Sequence, residues 1–133
     1  MKKVAIIIAF KDFQDKEYFG TKEVLDEAGI KTMTMSTKKG IAVGAYGGEA
    51  QVEEILSEIS VGEFDGIIFI GGPGALKFLD NEISYKIIRE AKKAGKILAA
   101  ICISPLILAK AGALRDKKAT VWSSSLDKGP IKI

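Results

Sequence analysis

The sequence predicts an α/β fold, a three-layer α/β/α sandwich around a mainly parallel sheet. Three observations carry this. Strand and helix signals alternate along the chain, as βαβ units with right-handed crossovers require. The runs "KVAIIIA" (3–9) and "FDGIIFI" (64–70) are almost continuously apolar, the pattern of strands buried on both faces. Glycine-rich breaks follow strands where a chain must turn into a helix, most clearly "GGPGA" (71–75).

The elements follow in order. After the first strand, "DKEYFGTKEVLDEAG" (15–29) spaces Tyr18 or Phe19, Lys22, Val24, Leu25 and Ala28 as one helix, with Gly29 as its C-terminal cap. "IKTMTMS" (30–36) alternates like a half-buried strand, and the glycine-rich 40–48 segment predicts a hairpin or edge strand. "QVEEILSEI" (51–59) reads as a short helix. Beyond the strand at 64–70, helical patterns at 75–80 and 83–94 lead to strand "KILAAI" (96–101), Cys102, helix "SPLILAKAG" (104–112) and a strand around "KATVW" (118–122).

Composition narrows the function classes. The 133 residues are 47% hydrophobic, enough for a single domain burying roughly two-thirds of its unfolded surface. Lys and Arg number 20 against 17 Asp and Glu, mixed along the chain, so nucleic acid is not an expected partner. Apolar runs stop short of the roughly 20 residues that span a bilayer, and "MKKVAIIIAF" carries no cleavage site. A soluble, cytoplasmic protein without a membrane partner is expected. One Cys and no His exclude an internal disulfide, a Cys-cluster zinc site and a Cys–His dyad within the chain. No metal and no cofactor are expected.

Open α/β sheets bind ligands beyond the carboxyl ends of their strands, and three features fall there. Cys102 sits between a strand and a helix opening with Ser104 and Pro105, a strand–nucleophile–helix elbow. The nearby helix start is expected to lower its thiol pKa. Equally, a lone Cys is often a small buried filler, and the local pattern leaves both readings open. Gly71 and Gly72 let backbone approach a ligand, and their N–H groups with that of Ile103 are candidate anion donors; a plain tight turn is the alternative. The loop lacks the Lys-Ser/Thr ending of a phosphate-binding loop. Asp12, Asp15 and Glu17 open the first helix, where acids are ordinary.

Taken together, "KVAIIIA" with "FQDKE", "FDGIIFIGGPGA" and "GKILAAICISPLILAKAGALRDKKAT" resemble the ThiJ/PfpI (DJ-1) superfamily, from residue 3 to about 122 and in family order. The resemblance implies a flavodoxin-like fold, like that of class I glutamine amidotransferases. It makes Cys102 the reactive cysteine and Glu17 the acid that hydrogen-bonds its sulfur. The amides of Gly71, Gly72 and Ile103 become the anion-binding donors. A carboxyl touching a thiolate must be protonated to donate, and burial beside a second negative group favours that form. Trp122 falls where members often place an aromatic or His near the thiol, as a pocket wall or as core packing.

Two departures matter. Members described as peptidases usually have His after the nucleophile, where this chain has Ile103; a cysteine peptidase therefore ranks third. Members also continue for one further strand and a closing helix, so the single domain 1–133 is expected to be C-terminally incomplete, most simply as a truncated or cleaved product. The implied activity is cofactor-independent glyoxalase or deglycase chemistry on small aldehyde or glycated substrates, through a hemithioacetal that needs no imidazole. A redox sensor or non-catalytic stress or chaperone-like protein is the alternative. A homodimer or higher homo-oligomer is expected.

Overall fold

In the computed structural model, residues 2–123 are described. The chain runs β1 (Lys3–Ile7), β2 (Lys11–Phe13), α1 (Asp15–Glu27), β3 (Lys31–Ser36), β4 (Gly40–Gly44), β5 (Glu49–Val52), β6 (Glu54–Ile55), β7 (Gly66–Phe69), α2 (Pro73–Phe78), α3 (Glu82–Lys93), β8 (Ile97–Ala100) and α4 (Pro105–Lys110). Five strands form a sheet in the order β6-β3-β1-β7-β8, and every pairing in it is parallel. This is the expected flavodoxin-like arrangement. Ile6, Ile7 and Ile8 of the first apolar run, with Ile67, Phe69 and Ile70 of the second, are fully buried at its centre, which explains their unbroken hydrophobicity.

The direction in which successive strands are added to the sheet reverses after β1. One crossover carries the chain through α1 to β3, and the other through α3 from β7 to β8. Right-handed crossovers in opposite directions place α1 and α3 on opposite faces. Tyr18 of α1 seals its face with a 2.6 Å hydroxyl contact to Thr34 of β3. The switch point lies between β1 and β7, where such folds open a crevice. The loops leaving these two strands, with the turn after the neighbouring β8, build the candidate site.

Helix ends follow their capping residues. The Gln14 side chain accepts from the Lys16 N–H at the start of α1. The helix closes on Ala28, with Gly29 (φ 76°) just beyond in the left-handed region. Asn81 caps α3 by accepting from the Ser84 N–H. The 40–48 segment forms the β4–β5 antiparallel hairpin, which joins β2 in a second, three-stranded sheet.

Two sequence expectations are corrected. Residues 51–59 are not a helix: the chain pairs along β3, with Met35 opposite Glu54 and Ser36 opposite Ile55. A 3-10 turn, Leu56–Glu58, then buries Leu56. The edge of β3 offers unpaired backbone groups, and pairing them outweighs the helical spacing of Val52, Ile55, Leu56 and Ile59. The strand expected around 118–122 is also absent. Lys117 to Thr120 are exposed, and Trp122 joins the fold through its N–H, which donates to the Cys102 carbonyl at 2.7 Å. β8 ends the sheet among the described residues, with Ile97 71% exposed. No helix among them is long and apolar enough to cross a membrane.

Candidate active site

Cys102 follows β8 with φ 63°, one of three non-glycine residues in the left-handed region among those described. That conformation costs an L-residue about 1–2 kcal/mol, and strain of this kind concentrates at functional positions. The turn is held by the Ser104 N–H donating to the Ile101 carbonyl at 3.1 Å, and α4 then starts at Pro105, which has no N–H to leave unpaired. Cys102 is half-buried.

Glu17 reaches the elbow from the first turn of α1. Its Oε1 accepts the Gly71 N–H at 2.9 Å, and this oxygen and the Cys102 Cβ flank the same space, each 2.8 Å from where a Gly71 side chain would begin. Burial pushes the Cys102 thiol above its ordinary value, and Glu17 pushes the same way through its charge and its hydrogen bond. The Ile103 and Gly72 N–H groups pull against this without reversing it. The sequence expectation of a lowered thiol pKa is therefore corrected. α4 has six residues, too few for its dipole to offset burial and an adjacent carboxylate.

The role of Gly71 also differs from the expected one. Its N–H is directed at Glu17 and not at the sulfur. Its missing side chain is what the site needs: a Cβ there would lie 2.8 Å from the Cys102 Cβ, 2.8 Å from Glu17 Oε1 and 2.9 Å from the Ile101 carbonyl. Gly72 (φ 115°) has no such room either, since a Cβ would meet the Gln14 nitrogen at 2.5 Å. The Gly71 carbonyl accepts the Gln14 N–H at 3.0 Å, locking the glycine turn to the start of α1. Trp122 stands beside Cys102 through its backbone, but its side chain is 54% exposed, so it is not core packing.

Asp15 has a different duty from its neighbour. Its buried carboxylate accepts the N–H groups of Tyr46 at 2.9 Å and Gly48 at 2.7 Å, tying α1 to the β4–β5 hairpin. Sequence reading passes over Ser104 as a helix-start residue. In the fold it is fully buried and its hydroxyl donates to the Ile70 carbonyl at 2.8 Å.

A cysteine on a strained strand–helix turn, with a carboxyl beside it, lies at the carboxyl ends of the strands of a flavodoxin-like sheet. The DJ-1/PfpI family model matches residues 2–129, and the chain belongs to that family. It is 37% identical over 121 residues to an uncharacterized protein of Methanocaldococcus jannaschii, covering 90% of this chain and 59% of that protein. It is 30% identical over 117 residues to the deglycase PfpI of Pyrococcus furiosus, covering 88% of this chain and 70% of that protein. Among solved structures, the ThiJ/PfpI domain protein from Brachyspira murdochii superposes with a TM-score of 0.88 at 31% identity, covering 95% of this chain and 72% of that one. The chain thus spans 59% of the length of the Methanocaldococcus relative.

Proposed function

We propose that this chain carries cysteine-dependent glyoxalase or deglycase chemistry on small aldehydes and the early adducts they form. The observation that carries the reading is Cys102 at φ 63° beside Glu17, whose Oε1 is fixed by the Gly71 N–H at 2.9 Å. Relatives named deglycases, including those of Pyrococcus furiosus and Escherichia coli, support the substrate class.

Glu17 accepts the thiol proton as sulfur attacks the aldehyde carbon; a C–S bond forms, and the carbonyl π pair moves to oxygen. The alkoxide takes the proton back from Glu17, giving a neutral hemithioacetal. With a 2-oxoaldehyde, Glu17 then moves a proton from the former aldehyde carbon to the neighbouring one through an enediol, leaving a thioester. Water cleaves the thioester, releasing a 2-hydroxy acid and the free thiol, so aldehyde plus water balances hydroxy acid. The backbone N–H groups of Gly72 and Ile103 are the candidate donors to the developing oxyanion, where donors count most.

Lactate formation from methylglyoxal tests the reading. Wild type should form it and Cys102→Ser should not; equal rates would refute the assignment.

A second reading, oxidation of Cys102 as a sensor, draws on the partial exposure of Cys102 and on a solved relative described as Toxoplasma gondii DJ-1, oxidized. It predicts a mass gain on Cys102 under mild peroxide.

A further inference from the structure

Ser104 stands where a helix-capping residue belongs, yet its hydroxyl makes no cap bond to α4. It is fully buried, and Oγ donates instead to the Ile70 carbonyl at 2.8 Å. That carbonyl and the Gly71 N–H are the two ends of one peptide unit. The unit is planar, so fixing the direction of its C=O fixes the direction of its N–H. The N–H donates to Glu17 Oε1 at 2.9 Å. A hydrogen bond accepted at the carbonyl also polarises the peptide and strengthens the N–H as a donor.

We propose that Ser104 is a positioning residue for Glu17: it holds the Ile70–Gly71 peptide plane so that the Gly71 N–H aims at Oε1 and keeps the carboxyl against Cys102. The proposal rests on the reading of Glu17 as the partner of the thiol. Ser104 suits the task because its own N–H closes the Cys102 turn on the Ile101 carbonyl at 3.1 Å. One residue therefore ties the elbow to the glycine turn, and the glycine turn holds the acid. The alternative is that the hydroxyl merely satisfies a buried carbonyl, a stabilising role without effect on the thiol.

The two are separated by the pH dependence of Cys102 alkylation with iodoacetamide, which requires no aldehyde. Around the sulfur, α1 presents the charged group Glu17, while Gly72 and Ile103 present backbone N–H groups. Glu17 raises the thiol pKa, so loosening its hold should lower it. Ser104→Ala and Ser104→Gly should each shift the alkylation profile to lower pH, no further than Glu17→Ala does. Ser104→Thr, which keeps the hydroxyl, should titrate like wild type. In a Glu17→Ala background, Ser104→Ala should add no further shift. A Ser104→Ala profile matching wild type, or a shift that persists undiminished without Glu17, would overturn the proposal. If methylglyoxal is not turned over but the coupling is present, the substrate reading fails and the positioning role stands.

Discussion

Gly71 and Glu17 are joined by a 2.9 Å hydrogen bond from the glycine N–H to Oε1, and the glycine's absent side chain leaves the space in which the carboxyl meets Cys102. Gly71→Ala would put a Cβ 2.8 Å from both the Cys102 Cβ and Glu17 Oε1. The elbow and the carboxyl cannot both remain in place. Expected are a destabilisation of about 1–3 kcal/mol, typical of overpacking, and loss of methylglyoxal turnover, read by denaturant unfolding and lactate assay. Unchanged turnover would show that the close approach is dispensable.

Asp15 provides a contrast in the same first turn of α1 as Glu17. Asp15→Ala strands the Tyr46 and Gly48 N–H groups that its carboxylate accepts, at a cost of about 1–3 kcal/mol. The hairpin loosens, while the Cys102 alkylation profile stays that of wild type. A changed profile would mean that the hairpin anchor reaches the thiol.

The strain at Cys102 also has a measurable consequence. At φ 63° glycine is unstrained where alanine is not. Cys102→Gly should therefore be more stable than Cys102→Ala by about 1 kcal/mol, with both inactive. Equal melting temperatures would remove the strain from the account.

Stability should depend on pH through the same thiol. Its native pKa is raised, first by burial and then by Glu17, so the folded chain holds the proton more tightly than the unfolded chain. This contribution is fully present below the unfolded thiol value of about 8.5 and is lost as pH rises through the raised native value. Urea unfolding across that range should show wild type losing stability relative to Cys102→Ser. Parallel curves would contradict the shift.

Much of the fold was readable because its signals are local. The runs around Ile6 to Ile8 and Ile67 to Ile70 are apolar whichever neighbour they meet, and Gly29 marks a helix end by its own chemistry. Residues 51–59 were not readable. Val52, Ile55, Leu56 and Ile59 keep a helical period, and only the open edge of β3, far away in sequence, makes that stretch a strand and a 3-10 turn. The site divides in the same way. The strand, Cys102 and the Ser104–Pro105 start of α4 announce an elbow in one short window. The raised thiol pKa depends first on burial and then on Glu17, more than eighty residues away along the chain. The Ser104 bond to Ile70 likewise arises only when β7 and α4 meet.

The central claim, that Cys102 works as a thiol paired with Glu17, is tested most directly by titrating the thiol with and without that carboxyl. Alkylation rates measured against pH should place the native thiol of wild type above an ordinary cysteine, near 8.5, and that of Glu17→Ala clearly below wild type. Identical profiles, or a thiol that stays unmodified until the chain unfolds, would contradict it.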